Sequence, residues 1–493
     1  MQLPTWAWVV WIAVQAYAFY YACGEAYDIR LYAVKEYGKI IHEFDPWFNF
    51  RATKYLADNG WTEFFHWYDT KSWYPIGRPV GTTIYPGMQI TSVCIWKVLA
   101  MMGEPFKMSL NDVCCMVPAW FGVVATTFLS LLTMECAGFA AAGAAAALVM
   151  SIIPAHIMRS VAGGYDNESI AVSAMCMTFF FWCRSLRNDN SWWIGAVAGL
   201  AYIYMVMVWG GYIFVVNLIG IHAAFLVATG SYSTKLYRAY TLFFIIGTAG
   251  ATRVPVVGWA PLRSLEQLGP CLVFFVLQLL EVAEVLRRRK EKQTKQEMSF
   301  KEMTQLRVTI FVAFAAALTP VVLLLIPTGY FGPLSARVRG LFVKHTRTGN
   351  PLVDSVAEHQ PASQQAYWQY LHYMCYCAPP GMVLVGLRSS AIYNVITSQL
   401  GAGEWWGRRG EAKSFLVLYG FIAYFFSTKM VRLVLLMAPI SSALGGVFLG
   451  SIAEWIALQV LVVVPTAELE AGEEGSEAKE EKKEEKKEEK KEE

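Results

Sequence analysis

Charged residues are scarce in this chain of 493 residues: only 16% are Asp, Glu, Lys or Arg, whereas 56% are hydrophobic. A water-soluble protein of this length would expose more charge. The 10 cysteines are scattered, often within apolar runs, and show neither metal-ligand nor disulfide-framework spacing. We interpret them as buried thiols. These shortages exclude an ordinary soluble enzyme and a disulfide-rich secreted domain, and they indicate a membrane protein.

Apolar runs long enough, or nearly so, to cross about 30 Å of hydrocarbon recur along the chain. The first, about residues 5–24, has no small-residue cleavage site, so an uncleaved signal anchor is predicted. Ten more runs lie near residues 114–135, 138–156, 169–186, 192–208, 212–229, 238–252, 268–286, 306–326, 371–387 and 414–427. A final block at 431–464 brings the count to 13 if it is a hairpin of two short spans. The sequence therefore predicts an all-α polytopic membrane protein of about 13 spans.

Short basic loops set the orientation of these spans. Segments such as RRRKEKQTKQ at 287–296 fall on one side of the membrane by alternation. The positive-inside rule makes that side cytosolic. The opposite face then receives three polar loops, at residues 25–113, 157–168 and 328–368.

The chain divides into two compositional parts. Residues 1–465 are predicted to form one transmembrane domain with its loops. Residues 466–493 repeat Lys and Glu without aromatic or branched residues, so this low-complexity tail cannot bury a core.

Acidic residues recur in all three polar loops of the non-cytosolic face. They are Asp45 in FDPWFNF, Asp166 and Glu168 in GGYDNES, and Asp354 and Glu358 in NPLVDSVAEHQ. Hard divalent cations such as Mg²⁺ or Mn²⁺ bind several oxygen ligands, which carboxylates from separate loops would supply. Solvated loop acids are the alternative for any single pair, but three acidic loops on one face favour a cation site.

Two arginines accompany these acids. Arg159 lies at a membrane edge shortly before Asp166, and Arg432 begins an apolar run. An arginine at such a position either anchors at the interface or pairs with a buried anion. A diphosphate is a suitable anion because a guanidinium binds phosphate oxygens bidentately and stays charged. Both interpretations of Arg432 stay open on its position alone.

Five motifs, in this order, resemble the catalytic subunit of eukaryotic oligosaccharyltransferase, the STT-three family: FDPWFNFRAT, SVAGGYDNESIA, WGGYIF, GNPLVDSVAEHQPAS and MVRLVLLMAP. The resemblance extends from the first span to about residue 450. It implies a GT-C glycosyltransferase fold in the endoplasmic reticulum membrane. It also implies transfer of a preassembled oligosaccharide from dolichyl diphosphate to Asn of Asn-x-Ser/Thr in nascent polypeptides, on the lumenal side. Accessory oligosaccharyltransferase subunits are implied as partners, and no nucleic acid is expected.

The resemblance also implies a cation and a donor site. Asp45, Asp166 and Glu168 would hold Mn²⁺ or Mg²⁺, which the sequence does not distinguish. Arg432 would contact the diphosphate of the lipid donor. A divalent metal and an arginine together would neutralise the charge of the leaving diphosphate.

The acceptor side of the reaction is implied in the same way. Asp45 and Glu358 would contact the acceptor amide, and Arg159 would support the catalytic site and also contact the acceptor. An amide nitrogen is a poor nucleophile because its lone pair is delocalised, and two carboxylates that bind its N–H groups could localise that lone pair near the anomeric carbon. No side-chain nucleophile with an attached base is evident, so in-line attack is the simplest scheme.

One motif of the family is absent from this sequence. The acceptor-reading Trp-Trp-Asp-Tyr-Gly does not occur, and the EWW at 404–406 is followed by GRRGE. We therefore expect this chain alone to bind the donor but to transfer glycan poorly. The alternative is a truncated or diverged non-catalytic member of the family. Another GT-C enzyme or a transporter fits less well, because the acids lie in loops and no internal repeat is found.

Overall fold

A computed structural model describes residues 5–331, 358, 360–387, 410–457 and 459–460. In these ranges the chain is almost entirely helical, with one small antiparallel sheet that pairs β1 (Tyr68–Asp69) with β2 (Arg78–Pro79). The predictions for Asp354, for the EWW segment and for the Lys/Glu tail lie outside the described residues.

The first half of the described chain contains ten helices. They are α1 (Thr5–Arg30), α2 (Tyr32–Tyr37), α3 (Phe44–His66), α4 (Val80–Thr83), α5 (Gly87–Met102), α6 (Leu110–Ala137), α7 (Ala140–Ile152), α8 (Pro154–Ile157), α9 (Asn167–Ser185) and α10 (Ile194–Val208).

The second half of the described chain adds nine helices. They are α11 (Tyr212–Ala228), α12 (Thr234–Ala251), α13 (Ala260–Arg263), α14 (Leu268–Thr294), α15 (Phe300–Leu325), α16 (Gln364–Leu371), α17 (Met374–Leu387), α18 (Gly410–Ser427) and α19 (Val431–Ala457), the last of which opens with a 3₁₀ turn over Val431–Leu436.

Length and composition make four of these helices suitable to cross a membrane: α6, α14, α15 and α19. Five shorter apolar helices, α5, α7, α10, α11 and α17, accompany them. A helix is the natural spanning element because it satisfies its own backbone hydrogen bonds away from water. The predicted all-α membrane architecture is therefore confirmed, whereas the number of spans is not.

The final apolar block is one helix in the described residues, not a hairpin. α19 continues from Val431 to Ala457 without a turn, so the prediction of two short spans is wrong there. Its glycines serve close helix packing instead of chain reversal: a Cβ on Gly446 would lie 2.6 Å from the Ala146 backbone of α7. Small residues at such positions let two membrane helices approach closely.

The polar loops predicted on the non-cytosolic face are more structured than expected. Residues 25–113 contain α2 to α5, and Met88 of α5 is fully buried in the main core. The loop predicted at 157–168 ends earlier, because α9 begins at Asn167 and includes Glu168 in its first turn. Aromatic and apolar residues in these stretches pack onto the bundle, which hydropathy alone did not reveal.

Helix α9 lies at the centre of the bundle and packs against α6 and α10. Most of its side chains are buried, and Trp182 donates a hydrogen bond of 3.0 Å to His222 of α11. The N-terminus of this central helix carries Asp166 and Glu168, so the fold presents both acids from a rigid element.

Candidate catalytic site

The acid pair of GGYDNES caps helix α9. Asp166 is the N-cap residue, and its Oδ1 accepts a hydrogen bond of 2.7 Å from the Asn167 N–H. The Ser169 hydroxyl donates to the Asp166 carbonyl at 2.7 Å. Carboxylates are favoured here because the first turn of a helix exposes N–H groups and a partial positive charge. The local structure therefore fixes Asp166 at the mouth of the helix and Glu168 just inside it.

Gly163 brings the first acidic segment to this turn. Its φ of +91° is a conformation that favours glycine, and an added Cβ would lie 2.5 Å from the Ile40 carbonyl. The Gly163 carbonyl accepts from the His42 N–H at 3.2 Å. Asp45 lies three residues after His42, in the first turn of α3, so this hydrogen bond brings it toward Asp166.

Tyr165 fixes this turn to two neighbouring helices. Its carbonyl accepts from Asn49 Nδ2 at 3.2 Å, and its hydroxyl lies 2.9 Å from the Thr53 Oγ1 of α3. The same hydroxyl donates to Ser92 Oγ of α5 at 2.6 Å. Because Tyr165 is fully buried, these bonds hold α3 and α5 against the start of α9.

Two arginines meet on Glu168, whose side chain is only 1% exposed. Arg432 donates to Oε1 from Nε at 3.0 Å and from Nη2 at 2.7 Å. Arg159 Nε lies 3.1 Å from Oε2, and Arg159 Nη2 donates to Glu358 at 2.6 Å. Residues that are far apart in the sequence thus form one chain of contacts, from Glu358 through Arg159 and Glu168 to Arg432.

The six residues predicted from the sequence form one group, which we call the carboxylate–arginine cluster: Asp45, Arg159, Asp166, Glu168, Glu358 and Arg432. Its four carboxylates and two guanidiniums give a formal charge of −2. The pKa of Asp166 is raised to about 6, chiefly by burial and then by the negative charges of Glu168 and Asp45, against the opposing effects of the Asn167 N–H and Arg432. Asp166 and Asp45 therefore interact electrostatically, with negative charge in excess.

The donor chemistry of this cluster fits a hard divalent cation. Asp45 and Asp166 carry carboxylate oxygens that no arginine bonds in the described residues, and Oε2 of Glu168 is buried without a hydrogen bond of good geometry. A dication would balance the excess charge and prefers such oxygens. The described side chains do not, however, converge as a group of three His, Cys, Asp or Glu ligands. Glu168 faces two arginines, so it would hold a cation only through its free lone pairs.

Sequence reasoning missed Arg30, which holds the turn that carries Arg159 of the cluster. This arginine is fully buried, and its guanidinium donates to Ser160 Oγ at 2.8 Å and to the Ser151 carbonyl at 2.9 Å. It also lies 2.8 Å from His156 Nδ1. Gly122 of α6 leaves the space for this side chain, since a Cβ there would collide with the guanidinium. The described part of the chain places no carboxylate beside Arg30, so hydrogen bonds alone satisfy it.

Arg30 fixes the turn that carries Arg159. Because a guanidinium carries only N–H donors, the fully buried His156 accepts the Arg30 hydrogen bond through Nδ1. The Arg30 carbonyl accepts from the Ala162 N–H at 2.9 Å. The sequence signal was an arginine six residues after the first apolar run, which is also where an interfacial anchor would lie.

The family model "Oligosaccharyl transferase STT3, N-terminal" matches residues 12–445. This chain belongs to the STT3 family. The family resemblance seen in the motifs is thereby confirmed, and the model spans every member of the carboxylate–arginine cluster.

Curated STT3 proteins are similar over most of the chain. It is 35% identical to the dolichyl-diphosphooligosaccharide–protein glycosyltransferase subunit STT3A of Oryza sativa subsp. japonica, over 86% of this chain and 50% of that protein. It is 34% identical to subunit STT3 of Saccharomyces cerevisiae, over 87% of this chain and 56% of that protein. The chain therefore spans about half the length of the STT3 relatives it matches.

Solved structures show the same fold. The archaeal oligosaccharyltransferase AglB from Archaeoglobus fulgidus, in complex with an inhibitory peptide and a dolichol-phosphate, superposes with a TM-score of 0.66 at 15% identity. The match covers 92% of this chain and 52% of that one. The STT3 chain therefore has the GT-C architecture expected from its sequence.

Proposed function

We propose that this STT3-family chain supplies the donor and cation site of an oligosaccharyltransferase. The reaction is transfer of a preassembled oligosaccharide from dolichyl diphosphate to the amide nitrogen of Asn in Asn-x-Ser/Thr. The observation that carries the proposal is the carboxylate–arginine cluster, whose members come from four separate segments and meet at the start of α9.

Arg432 is suited to the diphosphate of the donor. It uses Nε and Nη2 on Glu168, while its side chain is 39% exposed, so part of the guanidinium faces the cleft. The cleft beside it is also lined by Val434, Leu435 and Tyr370. A cation next to an apolar wall suits a lipid whose diphosphate joins a hydrocarbon chain.

Asp45 and Glu358 are suited to the acceptor amide. Asp45 is exposed at the start of α3, and Glu358 is 44% exposed and bonded to Arg159 through only one oxygen. Two carboxylate oxygens that accept from the two N–H bonds of an amide would draw its nitrogen lone pair out of conjugation. The same bonds would hold the nitrogen for in-line attack on the anomeric carbon. Arg159 positions Glu358 for this role.

Asp45, Asp166 and Glu168 would hold Mn²⁺ or Mg²⁺ in this proposal. Such a cation supplies positive charge that stabilises the departing diphosphate. The proposal further places the cluster on the lumenal face of the endoplasmic reticulum membrane, in a complex with accessory oligosaccharyltransferase subunits. The finer count of about 13 spans stays a prediction of the sequence.

Alanine substitutions at Asp45 and Asp166 test the proposal. Microsomes in which each variant replaces the corresponding half of the host catalytic subunit are incubated with a fluorescent sequon peptide and the lipid-linked donor, and glycopeptide is counted by gel shift. Both variants should lose transfer while keeping normal membrane insertion, because their side chains lie outside the helical core.

Asp112 offers a matched control, since it is another acid outside the cluster and contacts only Lys39, at 3.3 Å, among its ion pairs in the described structure. Asp112→Ala should transfer glycan at the rate of the unmodified chain. Transfer by Asp166→Ala in chelator-treated microsomes would exclude the cation site. Normal donor binding without peptide transfer by the unmodified chain would confine the proposal to the donor half of the reaction.

A further inference from the structure

A second charged site lies at the other end of the bundle. Since α9 begins at the carboxylate–arginine cluster and the following helices alternate in direction, the end of α11 and the start of α12 lie away from it. A cavity of about 380 Å³ opens there, among the ends of α11, α12, α14 and α15. The proposed catalytic chemistry uses none of its residues.

Three guanidiniums line this cavity, which we call the basic cavity: Arg287, Arg288 and Arg307, with Glu284 as the lining carboxylate. Glu284 is already neutralised, because it accepts from Arg287 Nη2 at 2.6 Å and from Arg288 Nε at 2.9 Å. Arg287 also bonds Glu291 at 2.9 Å. Within the described structure Arg307 makes no ion pair, so its positive charge faces the cavity without a protein counter-ion.

Hydrogen-bond donors converge on the same space. Arg288 reaches the first turn of α12, where its Nη2 lies 3.3 Å from Thr234 Oγ1. The Ser233 hydroxyl caps that helix by accepting from the Leu236 N–H at 3.2 Å. Other N–H groups of the first helical turn have no intrahelical acceptor. A guanidinium beside a helix N-terminus is a favourable environment for a phosphate group.

Part of the lining of the basic cavity is apolar. Val227, Leu280 and Met303 line it, and the apolar run of α14 gives way to RRRKEK at this level. A site lined by both cations and hydrocarbon matches the boundary between lipid headgroups and acyl chains. Basic pockets between membrane helices on the cytoplasmic side are suited to anionic headgroups.

We propose that the basic cavity binds the phosphate-bearing headgroup of an anionic phospholipid. The phosphate lies between Arg307, Arg288 and the N-terminus of α12, and the glycerol and first acyl carbons lie against Leu280 and Met303. This assignment is independent of glycan transfer.

Binding is measured on the purified full chain in detergent, with dioctanoyl phosphatidic acid as the probe and dioctanoyl phosphatidylcholine and inorganic phosphate as comparisons. Phosphatidic acid should bind most tightly. Arg307→Gln should weaken it about tenfold or more, the loss expected for one charge-assisted contact. Arg289→Gln removes the same charge from an adjacent exposed position that does not line the cavity, and it should change binding less than about twofold.

Arg288→Gln provides a second variant on a different helix from Arg307, and it should also weaken the binding of phosphatidic acid. Equal weakening by the Arg289 and Arg307 substitutions would show general surface attraction and overturn the proposal. Inorganic phosphate that binds as tightly as phosphatidic acid would exclude a lipid site, and absence of binding by either would exclude a phosphate site.

Discussion

Glu168→Gln removes the negative charge that joins two arginines while keeping the shape of the side chain. Breaking a buried ion pair by removing one partner destabilises a protein by about 3–5 kcal/mol. Here Arg159 and Arg432 are 21% and 39% exposed, so water can rehydrate part of each guanidinium. We therefore expect the unfolding free energy to fall by about 2–3 kcal/mol, somewhat less than for a fully buried pair.

The assay has two readouts, because stability alone would not identify a functional role. Thermal unfolding in detergent reports the lost ion pairs, and binding of a short-chain prenyl-diphosphate disaccharide reports the placement of Arg432. Glu135 provides the matched control: it is also buried between two arginines, with Arg184 at 3.1 Å and Arg187 at 3.3 Å, but at the other end of α9. Glu135→Gln should lower stability similarly and leave donor binding unchanged.

Two results would refute this reasoning. An unchanged unfolding temperature for Glu168→Gln would mean that the two guanidiniums do not depend on this carboxylate. Equal loss of donor binding in both glutamine variants would mean that the effect follows general destabilisation and not the placement of Arg432.

Three further predictions concern single positions. The pKa of Asp166 is about 6 in the folded state against an ordinary value of 3.8. Between these two pH values the folded state binds more protons than the unfolded state. Without a bound cation, the free energy of unfolding should therefore fall as pH rises from about 4 to 6. Asp166→Asn should remove that fall in thermal unfolding with chelator, and an unchanged pH profile would contradict the assignment. Arg432→Lys keeps the charge but loses the planar fork, so donor binding should weaken about tenfold in a titration; normal affinity would make Arg432 an interfacial anchor. Gly122→Ala should displace Arg30 and slow glycan transfer, with a stability loss of about 1–3 kcal/mol. Gly143→Ala overpacks α6 against α7 away from Arg30, so it should lower stability without slowing transfer. Equal transfer rates in the two variants would mean that Arg30 does not support the site.

The sequence predicted the helices better than their connections. Apolar runs located α6 and α14 because hydrocarbon burial demands such runs. The same rule left α5 out of the spans, because its 16 residues are short for a span and lie in a stretch rich in Pro and aromatic residues. It also allowed a hairpin at 431–464, because the block is long enough for two short spans.

The members of the candidate site could be named from the sequence, but not their contacts. The acid-x-acid spacing pointed to Glu168, and the start of an apolar run pointed to Arg432. No local pattern reveals that they bond each other across 264 residues of sequence. Arg30 was missed for the same reason: its partners Ser151 and Ser160 belong to other elements, and only the tertiary structure shows a buried guanidinium without a carboxylate. Burial and pairing are properties of the packed chain.

Both ends of α9 are anchored by charge: Glu168 in the first turn joins Arg159 and Arg432, and Arg184 in the last turn joins Glu135. One residue of an α-helix corresponds to an axial rise of 1.5 Å, so sliding by a single residue would break the contacts at both ends together. These ion pairs therefore fix the axial position of α9 in the bundle. Any rearrangement of the carboxylate–arginine cluster must therefore come from the parts that surround the helix, above all the half-exposed Glu358 and the start of α19.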